Sequence, residues 1–426
     1  MSLPMGRGYG CRLFRLGDRP MQHDTSSTAV TAREAPAAIF LVFLRLGCTS
    51  FGGPIAHLGY FRAAFVSRLA WLDEATYADI VALCQFLPGP ASSQVAVTLG
   101  ILRAGLRGGL AAWAGFTLPS AVLLILFAYG VGWFGGAAAN AAQSGWLHGL
   151  AVVAVAVVAQ AVLGMARTLC PDRPRATLMA AAAVVLLLWP DPLSQLAVLV
   201  AGALIGWAFL RQPAAAPTGR LDIGLGRHWA AVALLAFFAL LLLLPLAATV
   251  AQSHALDLVA RFYHAGALVF GGGHVVLPLL QQAVVPPGWI GDPRFLAGYG
   301  AAQAMPGPIF TFAAYLGAAM TPGPNGVAGG MLCLLAIYLP SFLLLVGVLP
   351  FWDGLRRQAP VQAALRGVNA AVVGLLLAAL YTPVWTSAIR GPADFAIGLV
   401  AFLLLVIWRL PPWLVVILGA VAGSAV

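Results

Sequence analysis

Four short stretches interrupt apolar runs with backbone that an α-helix cannot continue: Phe51-Gly52-Gly53, Pro88-Gly89-Pro90, Phe270-Gly271-Gly272-Gly273 and Pro306-Gly307-Pro308. Pro lacks an amide hydrogen and restricts the residue before it, while Gly tolerates dihedrals that other residues avoid. The first amides of a helix that restarts after such a break carry partial positive charge and attract anions. Side chains that donate hydrogen bonds stand close by. Gln85 and Gln303 each lie three residues before a Pro-Gly-Pro, His274 directly follows Gly273, and His57 lies four residues past Gly53. Arg45 sits inside an apolar run, where a charge costs on the order of a few kcal/mol and is a functional candidate by default. Its guanidinium offers a bidentate fork to an anion. The substrate-binding candidates are therefore Arg45, Phe51, Gly52, Gly53, Gln85, Pro88, Gly89, Pro90, Phe270, Gly271, Gly272, Gly273, His274, Gln303, Pro306, Gly307 and Pro308.

Each feature also has a plainer use. A break can be a packing kink, Arg45 can snorkel to an interface, a His can be structural, and a Gln can tie helices together. Asp73, Glu74 and Asp79 read as a water-facing segment rather than a proton relay. No grouping points to covalent chemistry, so no catalytic residue, metal site or cofactor is expected. The five Cys have no metal spacing and read as small packing residues. All 23 basic residues are Arg, which removes the Walker A Lys and Lys Schiff-base chemistry. The net charge of +10 is spread among apolar segments, where Arg sets membrane orientation, so no nucleic-acid partner is expected.

Positioning these residues falls to membrane helices. Hydrophobic residues make up 61% of the 426 and charged ones 8%, against about 25% charged in soluble domains. The chain also repeats itself. Phe43, Gly47 and Phe51-Gly52-Gly53 match Phe262, Gly266 and Phe270-Gly271-Gly272 at one offset, and Trp71 and Trp289 each stand 17 residues before a Pro-Gly-Pro. Leu99-Gly100, Gly108-Gly109 and Leu118-Pro119-Ser120 match Leu316-Gly317, Gly329-Gly330 and Leu339-Pro340-Ser341. An ordered series of this kind is duplication.

Two broken segments open each half. Long helices follow near 109–131, 147–168, 175–190 and 193–210, and again near 328–350, 361–384, 393–408 and 412–425. One extra helix near 229–250 separates the halves. If the broken segments are re-entrant, that extra helix inverts the second half, and most Arg then fall on the cytoplasmic side, as the positive-inside rule requires. The expected fold is an all-α polytopic membrane protein: two inverted-topology repeats with broken, re-entrant helices, joined by one linking transmembrane helix. The divisions are a disordered cytoplasmic tail at 1–33, a first repeat at 34–212, a polar linker plus linking helix at 213–252, and a second repeat at 253–426.

Phe-Gly-Gly-Pro at 51–54, Pro-Gly-Pro at 88–90, Phe-Gly-Gly-Gly-His at 270–274 and Gln-Ala-Met-Pro-Gly-Pro at 303–308 closely resemble the paired signatures of the chromate ion transporter family, in its long two-domain type. The resemblance runs from about residue 36 to the C-terminus. It implies a non-enzymatic multi-pass protein of the bacterial inner membrane that exports chromate and confers chromate resistance. The sequence leaves the oligomeric state open, a homodimer included. Chromate is a tetrahedral dianion shaped like sulfate, so transport of sulfate or another oxyanion, by carrier or channel, stays open.

Overall fold

The computed structural model describes residues 34–137, 145–211, 226–270, 273–355 and 358–424. The tail at 1–33, most of the polar linker, Gly271 and Gly272 lie outside the described residues. Everything described as regular structure is helical. In the first half α1 (Pro36–Thr49) ends before Phe51-Gly52-Gly53, and α2 (Gly53–Phe61) restarts there and runs on as a π-helical stretch, Arg62–Arg68. Next come α3 (Glu74–Phe86), the Pro88-Gly89-Pro90 break and α4 (Ala91–Ala137). Non-helical dihedrals at Ala104 and Gly105 divide α4 into a short arm at 91–103 and a long helix at 106–137. The half closes with α5 (Gly145–Leu169), α6 (Arg173–Leu188) and α7 (Pro192–Phe209). After the connecting α8 (Arg227–Ala251), the second half repeats the order. Its members are α9 (His254–Leu268), a 3₁₀ turn at Gly273–Val275, α10 (Val276–Val284) and α11 (Asp292–Ala304). A turn at Ile309–Thr311 leads into α12 (Phe312–Ala319) and α13 (Gly326–Val348), then the short α14 (Trp352–Leu355), α15 (Ala359–Ala379), α16 (Thr386–Ala388), α17 (Pro392–Val406) and α18 (Pro412–Ser424).

Local sequence accounts for the starts. Asp73, Asp172, Asp191 and Ser253 cap α3, α6, α7 and α9 by accepting a backbone N–H in the first turn. Pro occupies the first turn of α1, α6, α7, α11, α15 and α17, where no amide donor is missed. Among the described residues five stretches are long and apolar enough to cross a bilayer: Ala91–Val131, Gly145–Leu169, Arg227–Ala251, Gly326–Phe351 and Ala359–Ala388. This is a multi-pass membrane protein.

Both halves pack by the same rules. Within the first, α1 crosses α4 at Gly47, where a Cβ would meet the Gly115 and Phe116 carbonyl oxygens at 2.8 Å. Within the second, α9 crosses α13 at Gly266, where a Cβ would collide with the Ile337 carbonyl. Between halves the partners are exchanged. Helix α5 lies on α17 and α18, and Gly149 meets Gly419 and Gly423; helix α15 lies on α6 and α7, and Gly367 meets Gly202 and Gly206. Small residues spaced four apart let membrane helices approach this closely.

The free ends of the hairpins also gather in matched places. Arg103, at the end of the short arm of α4, bonds Glu34 at 3.1 Å and stacks 5.0 Å over Trp71. In the second half Arg261 stacks 4.8 Å over Trp289, which also meets the His254 ring edge-on and accepts the Thr321 N–H at 3.1 Å.

Candidate oxyanion site at the helix breaks

Each Pro-Gly-Pro break is hydrogen-bonded to the Gly-rich break of the opposite half. The Gly89 N–H donates to the Val269 carbonyl at 2.6 Å, one residue before Phe270. The Gly307 N–H donates to the Ser50 carbonyl at 2.8 Å, one residue before Phe51. An unpaired backbone amide or carbonyl at membrane depth costs several kcal/mol, so these two bonds lock the halves together where their helices are interrupted. Both Pro-Gly-Pro glycines need positive φ, +124° at Gly89 and +100° at Gly307. Each also faces a serine of the other half: a Cβ would lie 2.6 Å from Ser341 Oγ at Gly89 and 2.8 Å from Ser120 Oγ at Gly307.

Side chains complete two unequal clusters. Around Ser50, the buried His57 donates Nε2–H to the Ser50 carbonyl at 3.2 Å; Nδ1, 3.4 Å from Ser92 Oγ, accepts the serine proton when the ring is neutral. The Ser50 hydroxyl is itself buried without a hydrogen-bond partner. His274 Nδ1 lies 3.0 Å from the Tyr299 hydroxyl. A phenol is the stronger donor of such a pair, which leaves the His274 proton on Nε2. That nitrogen points toward the other break, 4.0 Å from where a Cβ on Gly53 would stand. Gln303, four residues beyond Tyr299, has its side-chain amide buried beside the Tyr299 hydroxyl. Around Gly89, Gln94 donates Nε2–H to the Pro88 carbonyl at 2.9 Å, and Ser93 Oγ lies 3.3 Å from the Tyr338 hydroxyl.

Of the sequence candidates, Gly53, Pro88, Gly89, His274, Gln303 and Gly307 belong to this meeting of the breaks, with Pro90, Pro306 and Pro308 framing it. Phe51 leaves it and packs its ring 6.5 Å from Trp413. Gly52 precedes α2 with φ +98°, Phe270 is partly buried, and Gly271 and Gly272 are outside the described residues. Arg45 and Gln85 stand apart from these bonds, exposed on α1 and α3, with Gln85 one turn before the Pro88 break. Glu74, exposed, pairs with Arg62 at 2.6 Å. Asp73, also exposed, is held below its ordinary carboxyl pKa by the Thr76 amide. Asp79 is buried on the same helix. Sequence reasoning passed over Gln94, Ser120, Ser341 and Tyr299. Polar residues one turn past a break, as in Ser92-Ser93-Gln94, were the available signal. Among the described residues no His, Cys, Asp and Glu gather as a metal site.

The profile of the chromate transporter family matches residues 37–207 and 256–424, one copy in each half. A probable chromate transport protein of Synechococcus elongatus is 27% identical over 390 residues, covering 89% of this chain and 93% of its own. A chromate transport protein of Pseudomonas aeruginosa is 29% identical over 373 residues, 87% of this chain and 86% of its own. A transporter of Bacillus subtilis is 32% identical over 173 residues, 39% of this chain and 85% of its own. No solved structure matches the chain significantly.

Proposed function

Because the chain belongs to the chromate transporter family, a family of transporters and not of enzymes, we propose that it exports chromate from the cytoplasm across a bacterial inner membrane, through the meeting place of its four breaks. The observation that carries this reading is the reciprocal bonding of Gly89 to Val269 and of Gly307 to Ser50. It supports a single central position faced by restarted helices of both halves. Amides at helix starts, the His274 Nε2–H, the Ser50 hydroxyl and the Gln303 amide are all donors, suited to a tetrahedral dianion.

The two repeats, 34–212 and 253–426, are read as inverted, with 213–252 as their link. Contacts between helix ends support this. The inverted scheme puts the end of α7 and the start of α15 on one side, and the Arg366 guanidinium bonds the Leu210 carbonyl at 2.9 Å. It puts the end of α4 and the start of α13 on the other side, and Tyr129 accepts the Val327 N–H at 3.1 Å. The starts of α5 and α17 share that second side, and His148 pairs with Asp394 at 2.8 Å.

Moving one charge through 100 mV is worth about 2.3 kcal/mol. A dianion leaving an inside-negative cell gains about 4.6 kcal/mol, roughly three decades of gradient. Export then runs on membrane potential without a coupling ion. The test is chromate uptake into inverted vesicles with an imposed potential and excess sulfate as competitor. Saturable uptake that needs the potential supports the reading. Accumulation driven by a pH difference at zero potential would overturn the driving force. Uptake of labelled sulfate in place of chromate would move the substrate to that oxyanion.

A further inference from the structure

The two halves match in sequence and in their internal packing, yet they differ in what covers their hairpins. Helix α11 is packed along α5 and touches α18, and the residues from Phe295 to Ala302 are buried. Gly300 marks the contact, since a Cβ there would lie 2.6 Å from the Leu150 carbonyl oxygen. The 3₁₀ turn Gly273–Val275 and α10 of the same half rest on α15. Among the described residues the corresponding surfaces of the first half are packed differently: α3 rests on α4 and the π-helical stretch, with Phe86 edge-on to Trp352 at its end, and α2 rests on that stretch and α4. Ala75, Ala78, Ala82 and Gln85 form one exposed stripe on α3 that ends at the Pro88 break. The α5 and α15 bundles thus cover the second half's hairpins and leave the first half's open.

In a carrier built from inverted repeats, exchanging the conformations of the two halves generates the opposite-facing state. We propose that the exposed face of α3 is a docking surface for α15, used in a second conformation in which α5 releases α11. This inference rests on reading the chain as a carrier with inverted repeats. The repeat fixes the expected contact. Ala82 and Gly300 each stand six residues before the first Pro of a Pro-Gly-Pro, and Val368 and Leu150 each follow the glycine that packs on a glycine pair of the other half. The α5–α11 contact of Leu150 with Gly300 therefore becomes an α15–α3 contact of Val368 with Ala82. In the described state the uncovered α3 face leads from the side of Trp71 to the Pro88 break, open to the cytoplasm in the proposed orientation.

The test uses the full chain in vesicles, with its native cysteines replaced. Ala82→Cys paired with Val368→Cys is expected to form a disulfide under mild oxidation, since a bond needs the two Cα atoms to come within about 7 Å. Adding Gly300→Leu, which unseats α11 from α5, should raise the cross-linked fraction roughly fivefold. A membrane-impermeant thiol reagent should label Ala82→Cys alone from one face only. Gly300→Leu should lower that labelling by a similar factor and expose Ala297→Cys from the opposite face. If Gly300→Leu does not insert, the disulfide in the double variant decides alone. Absence of the disulfide, or an Ala82→Cys that resists the impermeant reagent because it faces lipid, overturns the proposal. These readouts do not use chromate flux, so a reduced, uncross-linked chain that takes up no chromate while the cross-link forms on oxidation counts against the substrate and not against the docking.

Discussion

Gly89 and Gly307 carry two constraints at once, a left-handed backbone and a serine hydroxyl where a side chain would go. A left-handed L-residue costs about 1–2 kcal/mol before any collision. Gly89→Ala or Gly307→Ala is therefore expected to cut chromate uptake into inverted vesicles by about tenfold or more. Gly105→Ala isolates backbone strain away from the site, because Gly105 (φ +62°, ψ −158°) has a glycine-type backbone but open space around it; it should lower the melting temperature of the purified protein while uptake per folded molecule stays within about twofold. In the proposed site Tyr299 positions His274, its hydroxyl 3.0 Å from Nδ1. Tyr299→Phe should raise the KM for chromate by roughly fivefold, the worth of one hydrogen bond, with the maximal rate kept. On a His274→Gln background, whose amide donor needs no tautomer, Tyr299→Phe should add nothing further. An equal loss on both backgrounds would mean a merely structural tyrosine. The glycines of this site were legible in the sequence because backbone geometry singles them out. The side chains were less so: Gln85 and Gln94 flank the same break, and only helix phase, set by packing, buries one and exposes the other.

Helix existence and extent could be read almost directly, since apolar length and capping residues are local properties. The expected 147–168, 229–250 and 412–425 correspond to Gly145–Leu169, Arg227–Ala251 and Pro412–Ser424. Pairing between helices could not, because it depends on shape across the two halves. The clue was present in Gly202 and Gly206 and in Gly419 and Gly423, spaced alike on α7 and α18 and each facing a glycine of the opposite half. Gly149→Leu or Gly367→Leu should therefore weaken the fold by about 1–3 kcal/mol through overpacking. That loss should appear as a lower melting temperature of the detergent-purified protein. Gly164→Leu, on the same α5 but with nothing within 4 Å, is the matched control and should leave it unchanged.

At the scale of the whole chain, the proposed inverted arrangement predicts opposite sidedness for two exposed arginines, Arg107 and Arg294. In a chain without native cysteines, Arg107→Cys should react with an impermeant reagent from the cytoplasmic face and Arg294→Cys from the other; reaction from one common face would end the scheme. Helix α8 is central to that outcome although it is the least buried of the five long helices. In the proposed orientation it supplies parity besides its contacts with α9 and α13, since a single crossing between two like-sequenced halves turns the second over. A chain lacking 227–251 would keep every residue of both breaks, yet its second half would insert the same way up as its first. The donors at Gly89 and Gly307 and the acceptors at Val269 and Ser50 would then no longer face one another, like two left gloves that cannot be clasped.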